Sequence, residues 1–169
     1  MPTIHARRGD TLYLHGSNGS RMLRVAAGGE PLCVTATIVD GIVLARSAFH
    51  HSLNYRSAAV LGAGRRVTDA DEKRLALEAV VEHIVPGRTA DARGPSAKEL
   101  RATNVVAIAL EEASAKVRTG PPVDDEEDLF LPVWAGLVPL TLSSGTPVPA
   151  AELPDSIAVP RYVTRWRGQ

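Results

Sequence analysis

The stretch that decides the fold runs from Leu12 to Arg24 and reads LYLHGSNGSRMLR. Apolar and polar residues alternate along its first part, which is typical of a β-strand. Glycines and serines then predict a turn, and the residues from Arg21 onward favour the start of a helix. Free backbone N–H groups at such a start, serine hydroxyls and the Arg21 charge all attract anions. The sequence therefore predicts a strand, a turn and a helix that hold a phosphate group.

A second informative segment, Ser47–Ser57, reads SAFHHSLNYRS. It is richer in polar and aromatic residues than a sheet edge without a function usually is. Together with the phosphate turn, it suggests a site for a phosphorylated, flat, aromatic ligand. Its adjacent residues His50 and His51 would point to opposite sides of an extended chain. Because no nearby Cys, Asp or Glu completes a ligand set, we predict no metal site.

The composition indicates one globular domain and excludes several classes of function. The chain has 169 residues, 44% of them hydrophobic, and its 19 basic and 19 acidic residues cancel. Because the net charge is zero, electrostatic attraction gives no reason to expect binding to nucleic acid or to a membrane surface. No apolar run approaches the roughly 18 residues that a membrane span needs. The single cysteine, Cys33, is expected in the core, and one unpaired thiol suits a reducing compartment, so we expect a soluble cytoplasmic protein.

Five stretches show the alternating or β-branched pattern of strands: Thr11–His15, Pro31–Thr37, Gly41–Ser47, Asn54–Val67 and Asn104–Leu110, the last continuing towards Arg118. The dipeptide Asp40-Gly41 is a strong hairpin-turn signal, so residues 38–41 are predicted to join the second stretch to the third. Gly62 and Gly64 predict a bulge or a bend of the kind that small barrels need.

Helices are predicted in two further places. A capping pattern at residues 68–71 begins one that ends before Pro86-Gly87, and a capping box at Ser96 begins another that reaches about Ala102. Short connections exclude most crossover helices, so the predicted fold is mainly β, with six or so antiparallel strands in a small barrel and two or three short helices. The barrel is assigned to residues 1–142 and a proline-rich, extended tail to residues 143–169.

Residues 12–24, 33–67 and 111–136 resemble, in the same order, the split-barrel flavin-binding family typified by pyridoxamine 5'-phosphate oxidase. The resemblance is to its small bacterial branch, which includes the nitroimidazole-reductase-like proteins. It implies a split β-barrel and a homodimer that binds FMN in grooves at the dimer interface. Family members usually begin with a helix and a strand, whereas the first residues here correspond to the middle of the second strand.

The resemblance also assigns cofactor-binding roles. It implies that Ser20 and Arg21 hold the FMN phosphate, although a plain helix cap remains an alternative for Ser20 and a solvated side chain for Arg21. The other residues that it implies near the flavin are His15 and Gly16 along the ribityl chain, Ser47, Ser52, Tyr55, Arg56 and Ser57 at the pyrimidine edge of the ring, and Lys116 and Arg118 beside the flavin of the partner subunit. Ordinary barrel packing remains an alternative for Tyr55, and a structural role for His15.

The function implied is that of an FMN-dependent oxidoreductase acting on an unknown small molecule, with NAD(P)H as a candidate electron donor. No catalytic residue is assigned, because hydride transfer to or from flavin N5 requires no general base. The alternative is a protein that binds or stores flavin, deazaflavin or haem without turnover.

Overall fold

The structure is a computed structural model and describes residues 1–166, so the last three residues of the predicted tail lie outside the described part. The described residues contain seven β-strands and four α-helices, which confirms the predicted mainly β class. The strands are β1 (His5–Arg8), β2 (Thr11–Ser17), β3 (Gly28–Leu44), β4 (Ser52–Arg66), β5 (Thr103–Ala109), β6 (Glu112–Arg118) and β7 (Gly136–Pro139). The helices are α1 (Arg21–Ala26), α2 (Ala70–Ile84), α3 (Ala97–Ala102) and α4 (Arg161–Thr164).

The chain divides into two compact units. The first contains residues 1–32, residues 61–112 and the segment from Ser143 onward. The second contains residues 33–60 and 113–142. Both β3 and β4 contribute residues to each unit.

In the first unit, β2 lies between β1 and β5 and pairs antiparallel with both. The end of β4 pairs with β5 through Arg65 and Arg66. One face of β2 is covered by α2, so that Tyr13 packs with Val67, Ala76, Val105 and Ala107. Alternation along β2 therefore turns His15, two residues after Tyr13, towards the same side of the sheet.

The carboxylate of Glu72 fixes the first turn of α2 to the strands beneath it. It accepts hydrogen bonds from the Tyr13 hydroxyl at 3.1 Å and from both terminal nitrogens of Arg65, at 3.0 and 2.5 Å. Asp69 caps the same helix by accepting from the Glu72 backbone N–H at 2.7 Å. The predicted helix is thus confirmed, and its start is held in register with β2 and β4.

In the second unit, β3 pairs with β7 and β4, and β4 also pairs with β6. The predicted hairpin at residues 38–41 is wrong, because β3 passes through them without a turn. Asp40 is satisfied across the sheet by two hydrogen bonds from the Arg56 guanidinium, at 3.0 and 2.9 Å. Gly41 has no positive φ; a side chain there would lie 2.8 Å from Leu137 and 3.1 Å from the Val138 carbonyl oxygen. Close approach of β7, rather than a turn, requires this glycine.

Three further sequence predictions need correction or completion. Cys33 is exposed rather than buried, because the part of β3 around it lies mostly at the surface. The strand predicted from Asn104 towards Arg118 is two strands, β5 and β6. Much of the tail is irregular, but Trp166 Nε1 donates to the Ile84 carbonyl oxygen at 2.7 Å within the first unit.

None of the helices in residues 1–166 is long and apolar enough to cross a membrane.

Candidate functional site

The predicted phosphate turn lies between β2 and α1 in the first unit. Ser20 is the N-cap of α1, and its hydroxyl accepts from the Leu23 backbone N–H at 3.3 Å. Arg21, the first residue of the helix, is exposed and makes no ion pair among the described residues. Its charge is therefore available to an anion beside the turn.

Close packing of α1 against β2 explains the glycine before the turn. A side chain at Gly16 would lie 2.9 Å from Leu23 Cδ1, and Leu23 is 1% exposed. The turn is also tied to the end of α3, because Asn18 Nδ2 donates to the Arg101 carbonyl oxygen at 2.5 Å. The backbone of the turn is therefore held from both sides.

A cavity of about 730 Å³ lies beside His15 in the first unit. The Nδ1 atom of His15 is buried without a hydrogen-bond partner among the described residues. A buried polar atom without a partner is rare in native proteins, so this ring suits a ligand in the cavity. Burial lowers the pKa of the His15 imidazole and so favours the neutral ring, which is the form that binds metals.

The cavity is apolar along α2 and charged at its rim. Leu77, Val80 and Val81 form the apolar wall. At the rim, Arg93 donates to the Glu99 carboxylate at 2.8 and 2.6 Å, and Arg88 donates to the Tyr162 hydroxyl at 3.0 Å. The lining also contains the carboxylates Glu78, Asp91 and Glu99, so a ligand with a flat apolar body and polar groups at its edge matches this distribution of surface.

Glu99→Gln is expected to destabilise the protein at neutral pH and progressively less in acid. The Arg93 guanidinium and the Ser96 capping contacts hold the pKa of Glu99 far below its ordinary value of 4.5. A carboxyl with a lowered folded-state pKa stabilises above its unfolded pKa and loses that effect as the pH falls. Urea unfolding should therefore show a midpoint difference at pH 7 that shrinks below pH 4.5. The exposed Glu127→Gln is the control, and a constant difference at all pH values would contradict the assignment.

The residues predicted at the pyrimidine edge lie in the second unit, and several already have partners. Arg56 is paired with Asp40, and the Ser57 hydroxyl lies 2.8 Å from the Thr37 hydroxyl. Ser47 caps a 3-10 turn by accepting from the Phe49 backbone N–H at 3.3 Å. Ser52 and Tyr55 are half-buried on β4.

The two cations predicted beside the partner subunit's flavin share one face of β6. Lys116 is exposed, whereas Arg118 is half-buried and donates to Asn54 Oδ1 at 2.8 Å. Asn54 is 5% exposed and donates in turn to the Gly120 carbonyl oxygen at 3.0 Å. The sequence analysis did not identify this asparagine, which fixes the direction of Arg118.

The pair His50 and His51 and the acidic residues 124–128 also lie in the second unit. His50 Nε2 is 3.1 Å from Asp125 Oδ2, and His51 Nδ1 is 2.9 Å from the Ser47 carbonyl oxygen. Among the acidic residues 124–128, Asp124 is not solvated, because its side chain is 2% exposed and pairs with Arg46 at 2.8 Å. Although burial opposes it, hydrogen bonds from Arg46 and the Ser47 backbone lower the pKa of Asp124.

Comparison with known proteins identifies the family. The sequence profile described as pyridoxamine 5'-phosphate oxidase matches residues 1–117. The chain belongs to the pyridoxamine 5'-phosphate oxidase family. No functionally curated protein matches its sequence.

Two solved structures resemble this family member over almost its whole length. A flavocytochrome from Azotobacter vinelandii is 36% identical with a TM-score of 0.93, over 100% of this chain and 78% of that one. A FAD- and haem-binding protein from Mycobacterium smegmatis is 40% identical with a TM-score of 0.93, over 99% of this chain and 82% of that one. A Bacteroides thetaiotaomicron protein named for 5-nitroimidazole antibiotic resistance is similar in fold alone, at 24% identity and a TM-score of 0.52, over 68% of this chain and 66% of that one.

The cavity beside His15 contains residues of this family member that the sequence analysis did not assign to a site. Its walls come from α2 and from the segment between α2 and α3, which are distant in sequence from the phosphate turn. One signal was available: His15 is a polar residue on the same side of β2 as Tyr13, which the helix covers. A polar group under a helix needs a partner or a ligand.

Proposed function

We propose that this protein binds a flavin and acts as a flavin-dependent redox protein. Support comes from its family and from two structures, 36% and 40% identical to it, that are described as a flavocytochrome and as FAD- and haem-binding. The observation that carries the proposal is the turn between β2 and α1. Hydrogen bonds from Asn18 and to Ser20 fix its backbone, and Arg21 beside it makes no ion pair among the described residues.

The flavin proposed is FMN, with its phosphate at Ser20 and Arg21 and the ribityl chain beside His15 and Gly16. In this assignment the protein binds and orients the cofactor, and the flavin supplies hydride transfer through N5. Ser47, Ser52, Tyr55, Arg56 and Ser57 are the proposed contacts of the ring. Because Arg56 is held by Asp40, its charge is partly compensated before any flavin binds. FAD is the competing cofactor, since the M. smegmatis relative is described as binding it.

Titration with FMN and with FAD, followed by flavin fluorescence, tests this proposal. We expect FMN to bind and Arg21→Gln to weaken its binding about tenfold, because one charge-assisted hydrogen bond contributes about 1.5–3 kcal/mol. Arg8→Gln, which also removes an exposed arginine from the first unit, should leave binding unchanged. Failure of the wild-type protein to bind either flavin would reject the proposed function. Anaerobic bleaching of the bound flavin by NAD(P)H would separate a redox enzyme from a storage protein.

We also propose a cytoplasmic homodimer, with Lys116 and Arg118 close to the flavin of the partner subunit. Large apolar side chains at the surface of the second unit support self-association: Val117 is 62% exposed, Trp134 66% and Phe130 91%. Light scattering measures the mass of the particle and tests the dimer directly. The substrate is proposed to be a small molecule.

A second candidate function is haem binding, and the cavity beside His15 favours it. A haem held by histidine needs a neutral imidazole nitrogen and an apolar slot for its ring. The His15 imidazole and the α2 residues Leu77, Val80 and Val81 meet these requirements in one cavity of about 730 Å³, whose lining also holds two arginines and three carboxylates. Of the two structures compared above, the A. vinelandii protein is described as a flavocytochrome and the M. smegmatis protein as FAD- and haem-binding. His15 would then hold the iron rather than contact a ribityl chain.

A further inference from the structure

The first unit contains a second cavity, of about 470 Å³, which we call the basic pocket. The turn after β2, helix α1, the end of β4, the first turns of α2 and the junction of α3 with β5 all contribute to it. Its lining residues are Asn18, Arg24, Arg66, Val67, Thr68, Lys73, Arg101, Thr103 and Asn104. Asn18 of the turn between β2 and α1 lines it, so it adjoins the proposed FMN phosphate site, but Ser20, Arg21 and His15 do not line it.

Unbalanced positive charge distinguishes the basic pocket. Four of its lining residues carry a positive charge and none is a carboxylate. Within residues 1–166, none of the four pairs with a carboxylate, whereas six arginines elsewhere each have an acidic partner. In a chain whose acidic and basic residues are equal in number, this local excess is not a consequence of composition.

One buried and one half-buried side chain indicate that the basic pocket is suited to an anionic ligand. Asn104 is 4% exposed, and its Nδ2 has no hydrogen-bond partner among the described residues. A buried donor without an acceptor is costly and rare in native proteins. Lys73 is half-buried, and burial together with the Arg66 charge lowers its pKa. Both groups would be stabilised by an anion between them.

We propose that the basic pocket binds a phosphate-bearing ligand, either a diphosphate or a phosphate ester. Arginine guanidinium groups match phosphate oxygens with two parallel hydrogen bonds, lysine adds a point charge, and the Asn104 amide and the Thr68 hydroxyl donate further bonds. The volume exceeds that of one phosphate ion. The ligand is thus either the diphosphate of a flavin dinucleotide or a separate phosphorylated small molecule. This proposal does not rest on the flavin or haem assignments.

Calorimetric titration of the full-length protein with inorganic pyrophosphate tests the basic pocket. Lys73→Gln and Arg66→Gln should each weaken binding about tenfold or more, because each removes a charge-assisted contact. Arg74→Gln is the matched control: it lies next to Lys73 on α2, loses the same charge and pairs only with Asp71 at the surface. We expect Arg74→Gln to bind pyrophosphate within about twofold of wild type. Arg101→Gln, at an exposed position, is a further test if either first variant fails to fold.

Flavin titrations of the same variants identify the source of the phosphate. Loss of FAD affinity with FMN affinity unchanged would assign the basic pocket to the dinucleotide. Loss of pyrophosphate binding with both flavin affinities unchanged would assign it to a separate phosphorylated ligand. Wild-type protein that binds no pyrophosphate at millimolar concentration, or variants that bind it as tightly as wild type, would overturn the proposal.

Discussion

His15→Ala is expected to abolish the Soret band of the haem-loaded protein. The imidazole is the ring that lines the large cavity of the first unit, and its removal leaves the iron without the proposed axial nitrogen. Substitutions that merely disturb the support of a metal ligand weaken metal binding about 10- to 100-fold, so loss of the ligand itself should exceed about 100-fold. Haem titration monitored by absorbance, on wild type and variant at equal concentration, measures the difference.

The control is His51→Ala, an exposed histidine whose ring contacts the Ser47 carbonyl oxygen in the second unit. It removes an imidazole from the chain without touching the cavity, so the Soret band should remain. Free imidazole added to His15→Ala should restore part of the band, because the substitution leaves room for it. A variant that keeps the wild-type Soret position and intensity would eliminate His15 as the axial ligand. Wild type that binds no haem would eliminate the second candidate function altogether.

Local patterns predicted most of the elements, because their signals are contained within a few residues. Alternation located β2 and the β-branched run located β5, while the cap at Asp69 and the capping box at Ser96 located α2 and α3. The hairpin at residues 38–41 was mispredicted for a non-local reason. Arg56 satisfies Asp40 from the neighbouring strand, and β7, about a hundred residues later in the chain, requires Gly41. A dipeptide signal cannot report such partners.

The candidate sites were predictable only in part, for the same physical reason. The turn with Ser20 and Arg21 is formed by residues adjacent in the sequence, so it could be predicted from the sequence directly. The basic pocket gathers cations from Arg24 to Arg101, which no window of sequence contains together. Only the folded first unit reveals that they share a cavity. Asn104 could not be recognised as unpaired either, because its neighbours belong to a run that predicts nothing except a buried strand.

Gly64→Ala is expected to destabilise the protein by about 3 kcal/mol, near the upper end of the usual cost of overpacking a core. A Cβ at Gly64 would overlap the Ala26 carbonyl oxygen at the end of α1 and lie 2.6 Å from Val106 Cγ1. The first is backbone and the second belongs to a fully buried side chain, so neither can move away freely. For a chain of this length the melting temperature should fall by roughly 6–12 °C.

Gly62→Ala is the matched control for this prediction, two residues earlier on the same strand. There the nearest atom is the Ile108 Cγ2 methyl at 3.3 Å, which needs to shift only slightly. The loss of chain entropy in the unfolded state offsets the remaining strain, so the stability change should stay within about 1 kcal/mol. Because α1 carries Arg21, displacement of α1 by the methyl group that Gly64→Ala adds should also weaken FMN binding, which Gly62→Ala should not. Equal unfolding midpoints for the two variants would mean that α1 does not depend on the close approach of β4 at Gly64.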